Sequence, residues 1–229
     1  MIIHGIQKLT LVDYPARCAC ILFTGACNFR CPFCQNGSLV LNPAGEPVIA
    51  EDEVFSFLTK RRRMLEGVVV TGGEPTINAD LIPFLARIKE IGYSVKLDTN
   101  GYLPSVLKAA VESGCVDYVA MDIKTSLDEY SLLSGVDTDT SRIKESIDFL
   151  LTGAVDYEFR TTVVNELHHR KNFEKIGETI KGAKRYFLQS FVPSEDTISD
   201  GFTTPPLSDL ENYKEILKSY IECVSIRDR

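Results

Sequence analysis

The chain has 229 residues, 44% of them hydrophobic and 25% charged, with 32 acidic against 25 basic side chains and a formal net charge of −7. The hydrophobic share excludes a disordered or low-complexity chain, the length suggests one large domain or two small ones at roughly 100–200 residues each, and the acidic balance argues against generic nucleic-acid binding. No apolar run approaches the roughly 18 residues needed to cross a bilayer, and the opening MIIHGIQKLTLVDYP lacks the basic-then-apolar pattern of a signal peptide, so a soluble cytoplasmic protein is expected, with no membrane partner.

In chain order, β-branched and aromatic runs predict six strands, over 18–24, 67–71, 93–98, 118–122, 157–163 and 185–189. Helical spacing falls between them. Val54, Leu58 and Leu65 share one face, Leu81, Leu85 and Ile88 another, and Ile143, Ile147 and Leu150 a third that runs up to the cap Gly153. Pro104 suits the first turn of a helix over 103–113, Asn172 can cap one that ends near Gly182, and Ser208 with Glu211 makes a capping box ahead of the last. Strand–helix alternation argues a parallel α/β sheet with right-handed crossovers. A complete eight-unit barrel takes about 250 residues, so six units point to a partial barrel or an open doubly wound sheet. Residues 1–17 and the tail from Glu222 stand outside the alternation.

Three of the seven cysteines crowd into Cys27-Asn-Phe-Arg-Cys31-Pro-Phe-Cys34, directly after the first strand. Thiolates are soft donors suited to zinc or iron–sulfur clusters. Structural zinc sites usually pair one C-x2-C with another. Cys18, Cys20, Cys115 and Cys223 supply no such pair, which leaves a zinc site completed by His168 or His169, or three unrelated buried thiols, as alternatives. Three thiolates on one loop can hold three irons of a cubane and leave the fourth open for chemistry. Cys18 and Cys20 face the same side of a strand and read as core.

The second strand opens into Gly72-Gly73-Glu74, where two glycines let backbone approach a ligand and a carboxylate can accept from an ammonium. The third ends in Asp98-Thr99-Asn100-Gly101, which alone also reads as a strand-to-helix turn. The fourth ends in Met121-Asp122-Ile123-Lys124, and buried strands seldom carry Asp and Lys unless these are paired or used. Arg160 shares a face with Thr162 and can pair with a cofactor carboxylate, bind partner backbone, or form an ion pair with Asp122 or Glu158. Lys60-Arg61-Arg62-Arg63 reads as a solvated helix face, with a docking patch for an acidic partner or electron donor as the lesser reading. The cysteine loop, Gly72–Glu74, Asp98–Asn100, Asp122–Lys124 and Gln189 each stand at the C-terminal end of a successive strand, where parallel α/β folds build active sites.

The C-x3-C-x2-C loop, followed 40 residues beyond Cys34 by Gly-Gly-Glu, resembles the radical S-adenosylmethionine (SAM) superfamily. The resemblance implies a 4Fe-4S cluster on Cys27, Cys31 and Cys34. Its open iron is chelated by the amino and carboxylate groups of SAM, and an electron from the cluster yields a 5′-deoxyadenosyl radical that abstracts hydrogen. It further implies that Gly72, Gly73 and Glu74 hold the methionine amino group and that Phe33 touches the cofactor. Within the superfamily, the Asp98 and Asp122 stretches resemble the small activases that install glycyl radicals in partner enzymes. That similarity places Asp98 and Thr99 beside the methionine moiety, Asp122 and Lys124 near the ribose and carboxylate, and a monovalent cation near Asp98 and Asp122. Gln189 would serve as the adenosine contact where related activases can carry histidine, and Gln35 stands where they usually have histidine after the third cysteine.

Gly5-Ile-Gln-Lys-Leu-Thr-Leu-Val-Asp-Tyr-Pro15 is similar to the N-terminal segment of the activases of anaerobic ribonucleotide reductase, and no cysteine-rich insert follows Cys34. The expectation is an oxidoreductase built as a partial (β/α)6 TIM barrel, one domain over 1–229, with an N-terminal segment over 1–17, six βα units over 18–191 and a loop, helix and tail over 192–229. It would install a glycyl radical on anaerobic ribonucleoside-triphosphate reductase, with flavodoxin or ferredoxin as electron donor. The alternatives are activation of another glycyl radical enzyme such as pyruvate formate-lyase, a small-molecule radical reaction, and a non-catalytic iron–sulfur or zinc module.

Overall fold

Strands that are apolar on both faces need cover on both. In the computed structural model, which describes residues 1–227, they form one 8-stranded sheet in the order β1 to β8. β1 (Ile3–Thr10) lies antiparallel to β2 (Ala19–Thr24). From there every neighbour is parallel: β3 (Gly67–Gly72), β4 (Ser94–Thr99), β5 (Tyr118–Asp122), β6 (Asp156–Val163), β7 (Arg185–Ser190) and β8 (Cys223–Arg227). Among the described residues β1 and β8 do not pair, so the sheet stays open between its two edges.

The helices lie in the crossovers. α1 (Gly37–Leu41) and α2 (Glu51–Arg61) join β2 to β3, α3 (Leu81–Ile91) and α4 (Pro104–Glu112) follow β3 and β4, and α5 (Tyr130–Ser134) with α6 (Thr140–Leu151) follows β5. α7 (Arg170–Thr179) and α8 (Leu207–Leu217) follow β6 and β7. Outward-facing Val68, Val70, Leu97, Val119 and Phe159 pack in one core with Val54, Leu58, Leu85, Ile88, Leu107 and Ile147 of the helices. Ile21 and Val69 face inward and form a second cluster with Tyr14, Ala19 and Tyr118. No helix among the described residues is long and apolar enough to cross a membrane.

All six expected strands are present to within two residues. β1 and β8 correct the view that both chain ends stand outside the sheet: each is a strand on one edge. Gly5, Gln7 and Lys8 interrupt the apolar pattern of β1, and register shifts between Ile3 and Gly5 and between Gln7 and Thr10 break its alternation.

Local chemistry corrects four further details. Asn172 does not cap α7 but sits at its third position, its Oδ1 accepting from the backbone N–H of the cap His169 at 2.9 Å. α8 starts at Leu207 after Pro206, and Ser208 lies inside it without capping. Cys18 precedes β2 and is half-buried, whereas Cys20 is fully buried. Lys60 and Arg63 are exposed as a solvated face requires, but Arg62 donates to Ile91 O at 2.9 Å and Gly92 O at 2.8 Å, closing the end of α3.

Candidate active site

Parallel register brings the ends of successive strands to one level. Thr24 pairs with Gly72, Asp122 with Arg160 and Thr162 with Gln189. The result is a cavity of about 460 Å³, within the ~300–1,000 Å³ of small-molecule and cofactor sites. It is lined by Cys27, Cys31, Phe33 and Cys34 from the loop after β2 and by Gly72, Gly73 and Glu74 from the end of β3. Asp98 and Thr99, Asp122 and Lys124, Arg160 and Gln189 complete it from β4 to β7. Every residue singled out by the sequence for cofactor or cluster binding therefore lines one space.

The two glycines have separate reasons. Gly72 has φ +119°, and a Cβ there would stand 2.3 Å from Thr24 N and O. A Cβ on Gly73 would stand 1.7 Å from Ala26 O. Backbone hydrogen bonds replace those side chains: Gly73 N donates to Thr24 O at 2.8 Å and Glu74 N to Ala26 O at 2.9 Å. Asn36 Nδ2 returns from the far side of the cysteine loop to Gly72 O at 3.0 Å.

Glu74 is 1% exposed, and burial raises its carboxyl above the ordinary range while four donors oppose that shift. Oε1 accepts from Thr76 N at 3.1 Å, Thr76 Oγ1 at 2.5 Å and Thr99 Oγ1 at 2.7 Å, and Oε2 from Asn100 N at 2.7 Å. The carboxylate is thus a clasp between the ends of β3 and β4.

A ladder of charges fills the interior. Lys96 Nζ meets Asp98 Oδ1 at 2.5 Å, Arg160 Nη1 meets Asp98 Oδ2 at 3.0 Å, Arg160 Nε meets Asp122 Oδ1, and Lys124 Nζ meets Asp122 Oδ2 at 2.9 Å. Lower down, Arg227 binds both oxygens of Glu158 at 2.8 and 2.9 Å, and Tyr118 donates to the same carboxylate at 2.9 Å. Burial alone would raise Asp98 and Asp122; the Arg160 guanidinium, with Lys96 and Lys124, outweighs it and holds both below the usual carboxylate range. Burial likewise opposes the charge on Lys124, and Asp122 overrides it. Sequence reasoning misses Lys96 and Arg227 as parts of this interior; of the two partners it offers Arg160, Asp122 is the one bound, and Glu158 is taken by Arg227. An apolar-flanked lysine two residues before Asp98 is the available signal for the first.

Each of the four oxygens of Asp98 and Asp122 already faces a cation of the chain. The guanidinium bridges the two carboxylates near which the resemblance puts a monovalent cation.

The cysteines discriminate between the two metal alternatives. Among the described residues no three His, Cys, Asp or Glu side chains converge on a single-ion site. His168 Nδ1 accepts from Val164 N at 3.0 Å and its Nε2 lies 2.8 Å from Lys124 O, so both ring nitrogens are engaged; His169 caps α7. Zinc with either histidine therefore does not fit. Three thiols around one cavity do fit a multi-iron cluster, and Asn28, beside Cys27, carries a buried Nδ2 with no protein acceptor. Burial pushes the thiols of Cys27 and Cys31 up to about 12 and about 11, and that of Cys34 in the same direction, with the Lys124 ammonium opposing the rise at all three. Iron must displace those protons, so loading releases them.

The profile of the Radical SAM superfamily matches residues 21–183. The chain belongs to the radical SAM superfamily. Membership carries a 4Fe-4S cluster and SAM as cofactors. This radical SAM protein is 32% identical over 234 residues, spanning 99% of it and 95% of the relative, to a Methanocaldococcus jannaschii protein described as "Putative glycyl-radical enzyme activating enzyme". It is 29% identical over 165 residues to a Saccharolobus solfataricus protein described as "Probable GTP 3′,8-cyclase", covering 70% of this chain and 51% of that one. The structure of Streptococcus suis SuiB bound to SAM superposes with a TM-score of 0.68 at 14% identity, over 91% of this chain and 51% of SuiB. That likeness shows the shared fold, and the chain spans about half of SuiB.

Proposed function

We propose that this radical SAM protein is a glycyl radical activase and that its target is anaerobic ribonucleoside-triphosphate reductase. The observation that carries the reading is the lateral wall of the cavity. Gln7, Val12 and Asp13, from the GIQK…DYP segment, line it at the unpaired β1 edge, and Leu9, Leu11 and Val12 there are 55%, 68% and 74% exposed. An apolar rim beside an open cavity suits a polypeptide reaching inward better than a small polar substrate. Similarity along 95% of the Methanocaldococcus relative supports the activase class, and the wording of the N-terminal segment supports the reductase as target.

When bound, the cluster supplies the electron that cleaves SAM. The protein's own residues then have distinct tasks. Cys27, Cys31 and Cys34 hold the cluster, and the Gly72–Gly73 turn offers its carbonyls to the methionine ammonium. Asp98, Asp122 and Glu158 are each paired with cations of the chain, Lys96, Lys124, Arg160 and Arg227. Of these cations Lys124 and Arg160 line the cavity, where their N–H groups can donate to a cofactor carboxylate. Phe33, packed edge-on against His168 at 6.2 Å, is held rigidly as an apolar wall, and Gln189 offers amide groups to the adenosine. An acidic flavodoxin or a ferredoxin fits the need for a one-electron donor.

The test is anaerobic reconstitution with iron and sulfide, reduction, and addition of SAM with the candidate reductase. 5′-Deoxyadenosine should form together with a glycyl radical EPR doublet on the reductase. Absence of 5′-deoxyadenosine from a loaded cluster rejects SAM cleavage; cleavage with no radical on the reductase rejects the target alone.

We further infer that Arg160 and Lys96 stand in for an alkali cation. SAM affinity and thermal midpoint should then stay constant when potassium or sodium is exchanged for tetramethylammonium at fixed ionic strength. Weaker SAM binding in tetramethylammonium alone would restore the bound-cation reading.

A further inference from the structure

The loop after β7 crosses back over the cysteine loop. Ser38 donates to Asp196 twice, from backbone N to Oδ1 at 2.8 Å and from Oγ to Oδ2 at 3.1 Å. Gly37 N donates to the backbone carbonyl of Asp196 at 2.8 Å, and a Cβ on Gly37 would stand 2.5 Å from that oxygen. In the other direction, Ile198 N donates to Cys34 O at 3.1 Å and Ser199 N to Pro32 O at 2.9 Å. Gln35 Nε2 reaches Val192 O at 2.6 Å. Residues 32–38 therefore make contacts to 192–199 at both carbonyls and N–H groups, and the amide of Gln35 is one of them.

We propose that Asp196 is a positioning residue for the cluster, acting through Gly37–Ser38 to fix the backbone that presents Cys34. Free cysteine-loop backbone would have to be ordered when iron binds, at a cost in conformational entropy for every residue fixed. A strap already hydrogen-bonded to the loop has met that cost in the apo fold. The carboxylate is suited to the task because it accepts from both donors of Ser38 at once. The backbone N–H of Ile198, held on the carbonyl of Cys34 itself, ties the strap to a ligand residue, and groups around ligands tune both affinity and potential. The inference concerns cluster binding alone and stands whether or not the reductase is the target.

The experiment uses the full chain reconstituted anaerobically, in wild-type, Asp196→Ala, Asp196→Asn and Ser38→Ala forms. The readouts are iron per chain against added iron, midpoint potential of the cluster by spectroscopic titration, and thermal midpoint of the apo protein. Asp196→Ala should need ~10-fold more iron for half-loading and shift the potential, in line with the ~10–100-fold effects of outer groups at metal sites. Asp196→Asn should recover most of the loading, because its Oδ1 still accepts from Ser38 N and its Nδ2 can donate to Ser38 Oγ. Ser38→Ala, which removes only the longer contact, should lose less and supplies the comparison if Asp196→Ala does not fold. A lower thermal midpoint with wild-type loading and potential in Asp196→Ala overturns the proposal, as does an Asn variant no better than Ala in loading. Should Asp196→Ala not fold, wild-type loading and potential in Ser38→Ala would overturn it as well.

Discussion

Replacing Arg160 with alanine should destabilise the protein by roughly 3–5 kcal/mol, measured by chemical unfolding of the apo form. Arg160 is 8% exposed and binds Asp98 and Asp122 together, so its loss leaves one carboxylate oxygen unpaired on each, buried at Asp98 and half-buried at Asp122. The lower end of the range is expected because Lys96 and Lys124 still hold the other oxygens. The pH dependence gives a second signature. Both carboxyls are depressed in the folded state, so their contribution is fully present above the unfolded value near ~3.9 and is lost as pH falls through the lower folded values. In Arg160→Ala the depression shrinks, and acid unfolding should begin at higher pH than in the wild type. An unfolding curve that superposes on the wild type at neutral pH and in acid would show that the ladder carries no net stability.

Changing Cys31 to alanine should abolish normal cluster assembly, with the iron–sulfur charge-transfer absorption lost after reconstitution, while Cys115→Ala keeps the wild-type spectrum. Cys31 is buried at the cavity wall; Cys115 lies after α4, its thiol near Ser113 O. Removing one sulfur from the packed site should cost the apo protein only on the order of 1 kcal/mol. The loss would therefore be one of a ligand and not of the fold. Wild-type iron content in Cys31→Ala would remove this cysteine from the ligand set. Loss of the spectrum in Cys115→Ala would show that the ligand set is not confined to the C-x3-C-x2-C loop.

The parallel units are legible because each strand carries a run of apolar residues with a polar terminus, as in Val68–Val70 before Thr71 and Val119–Met121 before Asp122. Register then forces those termini together, so five short motifs scattered over the chain can be assigned to one cavity from their order alone. The partnering of the charges is not legible. Lys96 and Asp98 are two residues apart on one strand and visibly share a face, but the bond from Asp98 to Arg160 spans two strands and depends on barrel curvature. Glu74 illustrates the same gap. Its sequence context suggests a carboxylate that accepts from a ligand ammonium, whereas Thr76, Thr99 and Asn100 close around it only once β3 and β4 lie side by side. The strap over the cysteine loop is hidden for a different reason: Asp196 lies in a polar run without periodicity, 158 residues from its partner Ser38.

The contact between Gly73 and Ala26 O bears on how such a site could be moved between proteins. A Cβ at position 73 would fall 1.7 Å from that oxygen, so the cysteine loop and the glycine turn are two halves of one backbone joint. A cysteine loop transplanted alone into another barrel would meet a side chain where it needs bare backbone, and its first ligand would be displaced. The smallest portable unit is therefore not the three-cysteine segment. It is the loop, the Gly-Gly-Glu turn and the Thr-Asn pair that grips Glu74, three pieces remote in sequence that have to travel together.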